Sequence, residues 1–219
     1  MAIVIGDIAG QLDALRRLID KLPKGREIIC VGDLIDRGAW SPEVVQYCID
    51  SKFTCLIGNH EDMMIDYYEK TNRYEEGMWL YNGGEATLYA YTERDIDPFP
   101  HIAWMKTLPY YVIRDNYFIS HAPIIPNIRI DQPGVEAYLM WNRNNPSEII
   151  LGQEKMYVQI FGHNSHLGVR YFRHDDDDNT PFYALCIDSS LSEKITAFDP
   201  HDQKLYDEPY LSKSGDKQI

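Results

Sequence analysis

Three glycine-flanked polar signatures recur along the first third of the chain, and they constrain the fold more than any other feature. They are Gly6-Asp7-Ile8-Ala9-Gly10, Gly32-Asp33-Leu34-Ile35-Asp36-Arg37-Gly38 and Gly58-Asn59-His60-Glu61, with Asp7, Asp33 and Asn59 spaced 26 residues apart. Each follows a short apolar run that reads as a buried strand. A parallel sheet aligns the carboxyl ends of its strands along one edge, so Asp7, Asp33 and Asn59 are expected to meet there. Two carboxylates and an amide oxygen make a hard site suited to divalent metal.

The same segment alternates strand, polar turn and helix. Ala2 to Ile5 leads to a helix over Gln11 to Lys21, Glu27 to Val31 to one over Pro42 to Ile49, and Phe53 to Ile57 to one over His60 to Glu69. This alternation predicts a helix-covered parallel sheet with right-handed crossovers. Tyr74 to Tyr91 and His101 to Leu108 read as an aromatic-rich helical insertion, broken at Asn82-Gly83-Gly84, that caps the site. Short strand candidates follow at Tyr110 to Arg114, Tyr117 to Ser120, Tyr157 to Phe161, Val169 to Arg173, Phe182 to Ile187 and Lys194 to Phe198. They predict a second, mostly antiparallel sheet. Residues 1–210 are expected to form one domain, with the insertion at about 74–108 and a polar tail at 211–219. The acidic run Asp175 to Asp178 reads as a solvated hairpin tip.

Composition narrows the partners. A formal net charge of −13 argues against a broad nucleic-acid or anionic-membrane surface. No apolar stretch reaches bilayer length and no signal peptide precedes the first motif, so a cytoplasmic location is expected. Cys30, Cys48, Cys55 and Cys186 lack paired metal-ligand spacing and read as reduced core thiols.

His121 in Ser120-His121-Ala122 and His163 in Gly162-His163-Asn164 also end apolar runs. A pair of divalent ions needs a bridging carboxylate, and Asp33 is the central candidate. Asp7 then serves one ion; Asn59, His121 and His163 serve the other, leaving room for an activated hydroxide. His60, next to ligand Asn59, is the expected general acid, with Asp36 orienting its ring. Arg37 and Arg143 are expected to hold phosphate oxygens. Taken singly, an Asp after a strand reads as a turn former or helix cap and His121 as a core or surface histidine; their joint order favours metal chemistry.

At these residues the chain resembles the phosphoprotein phosphatase family of calcineurin-like metallophosphoesterases, in its compact bacterial and phage branch. The likeness runs from Ile3 to Ser189 and includes Trp79-Leu80-Tyr81-Asn82-Gly83-Gly84 with Thr87, Leu108-Pro109 and Trp141-Asn142-Arg143. It implies an α/β fold, a four-layer α/β/β/α sandwich with mixed sheets. It also implies two manganese-like ions and direct hydrolysis by metal-bound hydroxide, without a phosphoenzyme.

Two positions depart from the pattern. The family carries a metal-binding histidine where this chain has Ala9. Three readings stay open: an introduced substitution, a substitute ligand such as His166, or one firm and one labile ion. Taken by itself, His166 reads as a surface histidine. Ile57 stands where protein phosphatases of the family carry an arginine; an apolar residue at that place resembles the symmetrical dinucleoside tetraphosphate hydrolases. The expected function is metal-dependent hydrolysis of phosphomonoesters, with phosphorylated protein or a small phosphorylated substrate as partner. The rivals are a diadenosine tetraphosphate or other nucleotide phosphohydrolase, and an impaired phospho-ligand binding module.

Overall fold

The computed structural model describes residues 2–71, 73–75, 77–124, 129–146, 149–151, 155–174 and 180–210. The expected hairpin tip at Asp175 to Asp178 and the polar tail lie outside the described residues. In chain order the first half holds β1 (Ile3–Ile5), α1 (Leu12–Lys21), β2 (Ile28–Cys30), α2 (Ser41–Asp50), β3 (Thr54–Cys55) and α3 (Asn59–Glu69). A π-helical turn, Leu80–Gly84, leads into α4 (Glu85–Glu93), then α5 (Phe99–Met105). The rest comprises β4 (Tyr111–Arg114), β5 (Tyr117–Ser120), α6 (Val135–Trp141), β6 (Ile149–Leu151), β7 (Lys155–Phe161), β8 (Arg170–Phe172), β9 (Ala184–Cys186), β10 (Lys194–Asp199) and β11 (Lys204–Pro209).

Two mixed sheets result. The first runs β11-β10-β1-β2-β3, with β1, β2 and β3 parallel as the alternation predicts. The second runs β4-β5-β7-β9-β8, with β6 paired to β7. One expectation is corrected and one is refined. Lys194 to Phe198 does not join the second sheet; β10 pairs antiparallel with β1, Val4 opposite Phe198, and β11 closes that edge. The second sheet is antiparallel at β4-β5, β6-β7 and β8-β9, as expected, but its centre, β5-β7-β9, is parallel. The connection through α6 is long enough for a crossover, which a parallel pair needs and a tight hairpin cannot supply. It brings the ends of β5 and β7, and so His121 and His163, to the same edge.

Period-two alternation sorts the strand residues between layers. Ala2, Val4, Ile29, Val31 and Leu56 face Ile119, Ile160, Leu185 and Ile187, forming the apolar layer between the sheets. Ile3, Ile5, Cys30 and Cys55 point the other way, against Leu15 and Leu18 of α1 and Val44, Val45 and Cys48 of α2. Phe118 packs beneath Val135 and Leu139 of α6 on the outside of the second sheet. The layers therefore run helix, sheet, sheet, helix. Among the described residues, no helix is long and apolar enough to cross a membrane.

Candidate active site

The site lies where the carboxyl ends of both sheets meet. Asp7 follows β1, Asp33 follows β2, Asn59 opens α3, and His121 and His163 follow β5 and β7. All five are buried, each no more than 4 % exposed. The turns that carry them are strained: Ala9, Asp33, Asp36, Arg37 and His163 all have positive φ, between 50° and 75°. Left-handed backbone costs a non-glycine residue about 1 kcal/mol, and such residues cluster where surrounding contacts hold them for function.

Close approach explains two of the glycines. A Cβ on Gly58 would stand 2.3 Å from Asp33 Oδ1, and one on Gly162 would stand 2.0 Å from Asp7 Oδ1. Only glycine lets these turns reach the carboxylates. Glu61 then ties the second and third signatures together, accepting the backbone N–H of Asp33 at 2.9 Å, of Leu34 at 2.8 Å and of Gly58 at 2.9 Å. Burial, followed by the Asp33 charge, pushes the Glu61 carboxyl up to about 7, against these donors. The Gly58-Asn59-His60-Glu61 signature contains Glu61, but nothing in its spacing points to this bridging work.

On one side of Asp33 the donor atoms converge. His121 Nδ1 donates to the Val31 carbonyl at 3.1 Å, which leaves a lone pair on Nε2. That Nε2 lies 3.0 Å from Asn59 Oδ1, 3.2 Å from His163 Nδ1 and 3.3 Å from Asp33 Oδ1. His163 Nδ1 is 2.9 Å from the same Asn59 oxygen. Burial first, then His121, holds the His163 ring at about 3, so it is neutral near pH 7. Burial would raise Asp33, but the facing His121, His60 and His163 rings prevail and hold its carboxyl at about 2. Ligand atoms of Asp33, His121 and His163 all lie within 4.8 Å of one another. Carboxylate and amide oxygens gathered with imidazole nitrogens at one point suit a cation, and the mixed oxygen and imidazole set suits a divalent one.

The Asp7 side is different. Both Asp7 oxygens lie 3.3 Å from the His163 backbone N–H, and Asp7 is not one of the three residues that share the 4.8 Å grouping. Its carboxyl is pushed well up, first by burial and then by Asp188 and Asp33. Asp188 is 1 % exposed and was not singled out in the sequence, nor was Tyr210, whose buried hydroxyl has no hydrogen-bond partner and feels both Asp7 and Asp188. Ala9 sits here, buried, with its N–H on Asp33 O at 2.9 Å. His166 is outside the ligand grouping; its backbone N–H meets Asp188 O at 3.2 Å.

His60 faces a second network. Its Nδ1 is 2.5 Å from Asp36 Oδ2, and Asp36 also accepts Thr87 Oγ1 at 2.7 Å and Trp79 Nε1 at 3.0 Å. The Asp36 backbone N–H is received by Ser41 Oγ and Thr87 Oγ1 at 3.0 and 2.9 Å. Burial favours a neutral His60 ring, but the Asp33 and Asp36 carboxylates outweigh it and raise the pKa. Arg37 Nη2 stands 3.2 Å from His60 Nε2, and its backbone N–H is fixed by Gly83 O at 3.1 Å. Arg143 is exposed at the rim, where Nη1 donates to His163 O at 3.4 Å. Ile57 is buried in the core, its N–H on Pro109 O.

Comparison with known proteins agrees with this geometry. The family model "Calcineurin-like phosphoesterase" matches residues 2–184. Serine/threonine-protein phosphatase 2 of Escherichia coli is 29 % identical over 77 % of this chain and 76 % of its own length. A symmetrical bis(5'-nucleosyl)-tetraphosphatase of Aromatoleum aromaticum is 27 % identical over 56 % of this chain and 44 % of its own. Among solved structures, a putative diadenosine tetraphosphatase superposes with a TM-score of 0.66 at 18 % identity, covering 96 % of this chain and 94 % of that one. That last likeness speaks for the fold. With signatures, layers and donor set in agreement, the chain belongs to the calcineurin-like phosphoesterase family and is a phosphatase enzyme of that dinuclear-metal class.

Proposed function

We propose that this chain hydrolyses phosphomonoesters, with phosphoserine and phosphothreonine proteins as its principal substrates and phosphotyrosine within reach. The observation that carries the reading is the buried His60–Asp36 pair, held by Thr87 and Trp79 and set beside Asp33 and Arg37. Asn59, His121, His163 and Asp33 would hold one ion, and Asp33 and Asp7 the other, with manganese the expected metal. When bound, such ions polarise phosphoryl oxygens and lower the pKa of water.

The residues supply the rest. Arg37 donates toward His60 Nε2 in the free enzyme, and a phosphoryl group offers its guanidinium a stronger, charge-assisted acceptor. His60 Nε2 is then free to carry a proton to the leaving oxygen, worth roughly 10² to 10⁴-fold where that oxygen is a poor leaving group. Asp36 keeps the ring in the required tautomer and orientation. Arg143, at the rim, is the second candidate for phosphate oxygens.

A second reading rests on a different observation. A cavity of about 620 Å³ is lined by Tyr67, Tyr68, Tyr74 and Trp79, and the exposed Tyr67 ring offers a surface on which a nucleobase would stack. It supports hydrolysis of a dinucleoside polyphosphate. Assays with manganese against a phosphoserine peptide, para-nitrophenyl phosphate and diadenosine tetraphosphate separate the two. Turnover of the peptide and the nitrophenyl ester is expected; turnover of the dinucleotide alone would overthrow the monoester reading.

A further inference from the structure

A second group of ligand-type side chains lies behind the catalytic turns, on the helical side of the first sheet. Cys30 ends β2 and Cys55 ends β3, and the parallel register sets them side by side. Strand alternation turns both toward the helices, where Cys48 comes down from α2. All three are free thiols, 0 %, 2 % and 0 % exposed for Cys30, Cys55 and Cys48. Their sulfur atoms lie within 4.8 Å of one another. A core thiol needs only one small apolar socket; three gathered this closely, from three elements, make a preformed set of soft donors.

We infer that Cys30, Cys48 and Cys55 form a buried three-sulfur site for a single Cu(I) ion. Donor softness excludes the hard ions suited to the Asp33 site, and thiolate sulfur selects Cu(I), zinc or iron–sulfur clusters. A structural zinc site takes four ligands, and the grouping holds three. Charge points the same way. When Cu(I) replaces the proton of one thiol and is bound by the lone pairs of the other two, one proton is released and the site stays neutral. Zinc reaches neutrality there only by displacing two thiol protons, and it still lacks the fourth ligand that a structural zinc site takes. The two centres of the molecule would therefore sort metals by donor hardness. The sulfur site also ties β2 and β3 together just before the turns that carry Asp33 and Asn59. Uptake must accompany local opening, since none of the sulfurs reaches the surface.

The test uses the full chain, reduced and without oxygen, titrated with Cu(I) in competition with the chromophoric chelator bicinchoninate. One equivalent should be withheld from the chelator, with an ultraviolet sulfur-to-copper charge-transfer band, unchanged far-ultraviolet circular dichroism and three sulfur neighbours by X-ray absorption. Cys48→Ala or Cys55→Ala should weaken retention by more than the roughly 10-fold typical of losing a mere outer partner. Cys186→Ala, on the second sheet, should leave retention unchanged. The inference is overturned if the wild type withholds no copper, if it does so only in proportion to lost circular dichroism, or if the Cys48 and Cys55 variants retain it as tightly. Because the readout is copper retention by the native chain, it stands apart from the phosphatase reading.

Discussion

On the Asn59 side of the site, side chains from α3, β5 and β7 converge on the Asp33 carboxylate; on the Asp7 side, a carboxyl faces two other carboxyls and an alanine. Both sides are equally buried and both hang from strand ends. The difference lies in donors alone. Asp33 is drawn down to about 2 by facing imidazoles, whereas Asp7 is pushed up by burial and by Asp188 and Asp33. The fold thus fixes where these side chains stand, while single residues set how many donors each side offers.

The comparison breaks most completely at the shared residue. Asp33→Asn should abolish the distinction between the two sides, cutting phosphatase turnover by roughly 10³-fold or more, at the upper end of losing a well-placed electrostatic group. Elemental analysis after metal loading should find both ions depleted. Retention of near-normal activity would remove Asp33 from the bridging role.

Next in size is the acid. His60→Ala should lower turnover of alkyl phosphates by roughly 10² to 10⁴-fold and of para-nitrophenyl phosphate far less, because only poor leaving groups need the proton. Equal losses on both substrates would take His60 out of that role.

Restoring a donor on the poor side sharpens the contrast directly. Ala9→His should strengthen binding of the weaker manganese ion by at least about 10 to 100-fold, the scale of even indirect ligand support. Calorimetric titration should change from one firm site to two. Two firm ions already present with Ala9 would show that Asp188 or another group completes the Asp7 side.

The smallest effect lies outside both halves and serves as their control. Glu208 of β11 is clamped by Arg17 and Lys21 of α1, whose side chains are 35 % and 51 % exposed. Hydrogen bonds from Arg17 and then Lys21 lower its pKa below the ordinary 4.5. Its contribution is therefore complete above the unfolded pKa and is lost as pH falls through the lower folded value. Glu208→Gln should cost about 1 kcal/mol or less near neutrality, given solvent screening, and the difference in Tm from wild type should close at the acid end. Activity per folded molecule should not change.

The sequence made the first half of the site legible because its information is local. Asp7, Asp33, Asn59 and His60 each sit within a few residues of the strand that positions them, so apolar runs and glycines betray them. His121 and His163 were readable for the same reason. The pairing of β10 with β1 was not, since Val4 and Phe198 carry no period that links them and the strand length of Lys194 to Phe198 fits either sheet. The parallel centre of the second sheet was missed because short strands with intervening turns look alike whether a hairpin or a crossover joins them. Asp188 and Tyr210 announce no motif; burial beside Asp7 is what singles them out. The supports of Asp36 were visible only as pieces of the resemblance, since Trp79 and Thr87 reach it across 43 and 51 residues. The cysteines were read correctly as buried, but no spacing rule reveals that a strand pair and a helix gather three of them.

The place of β1 has a consequence for biosynthesis. One of its flanks pairs with β2 soon after both emerge from the ribosome, but the other waits for β10, near the opposite end of the described chain. Until then a nascent polypeptide carries every signature of the catalyst while the strand before Asp7 keeps an open flank, a template for unwanted pairing. Such long-range closure is slow. A polypeptide released before residue 194 would thus retain all the motifs and still be a candidate for chaperone capture rather than a working phosphatase.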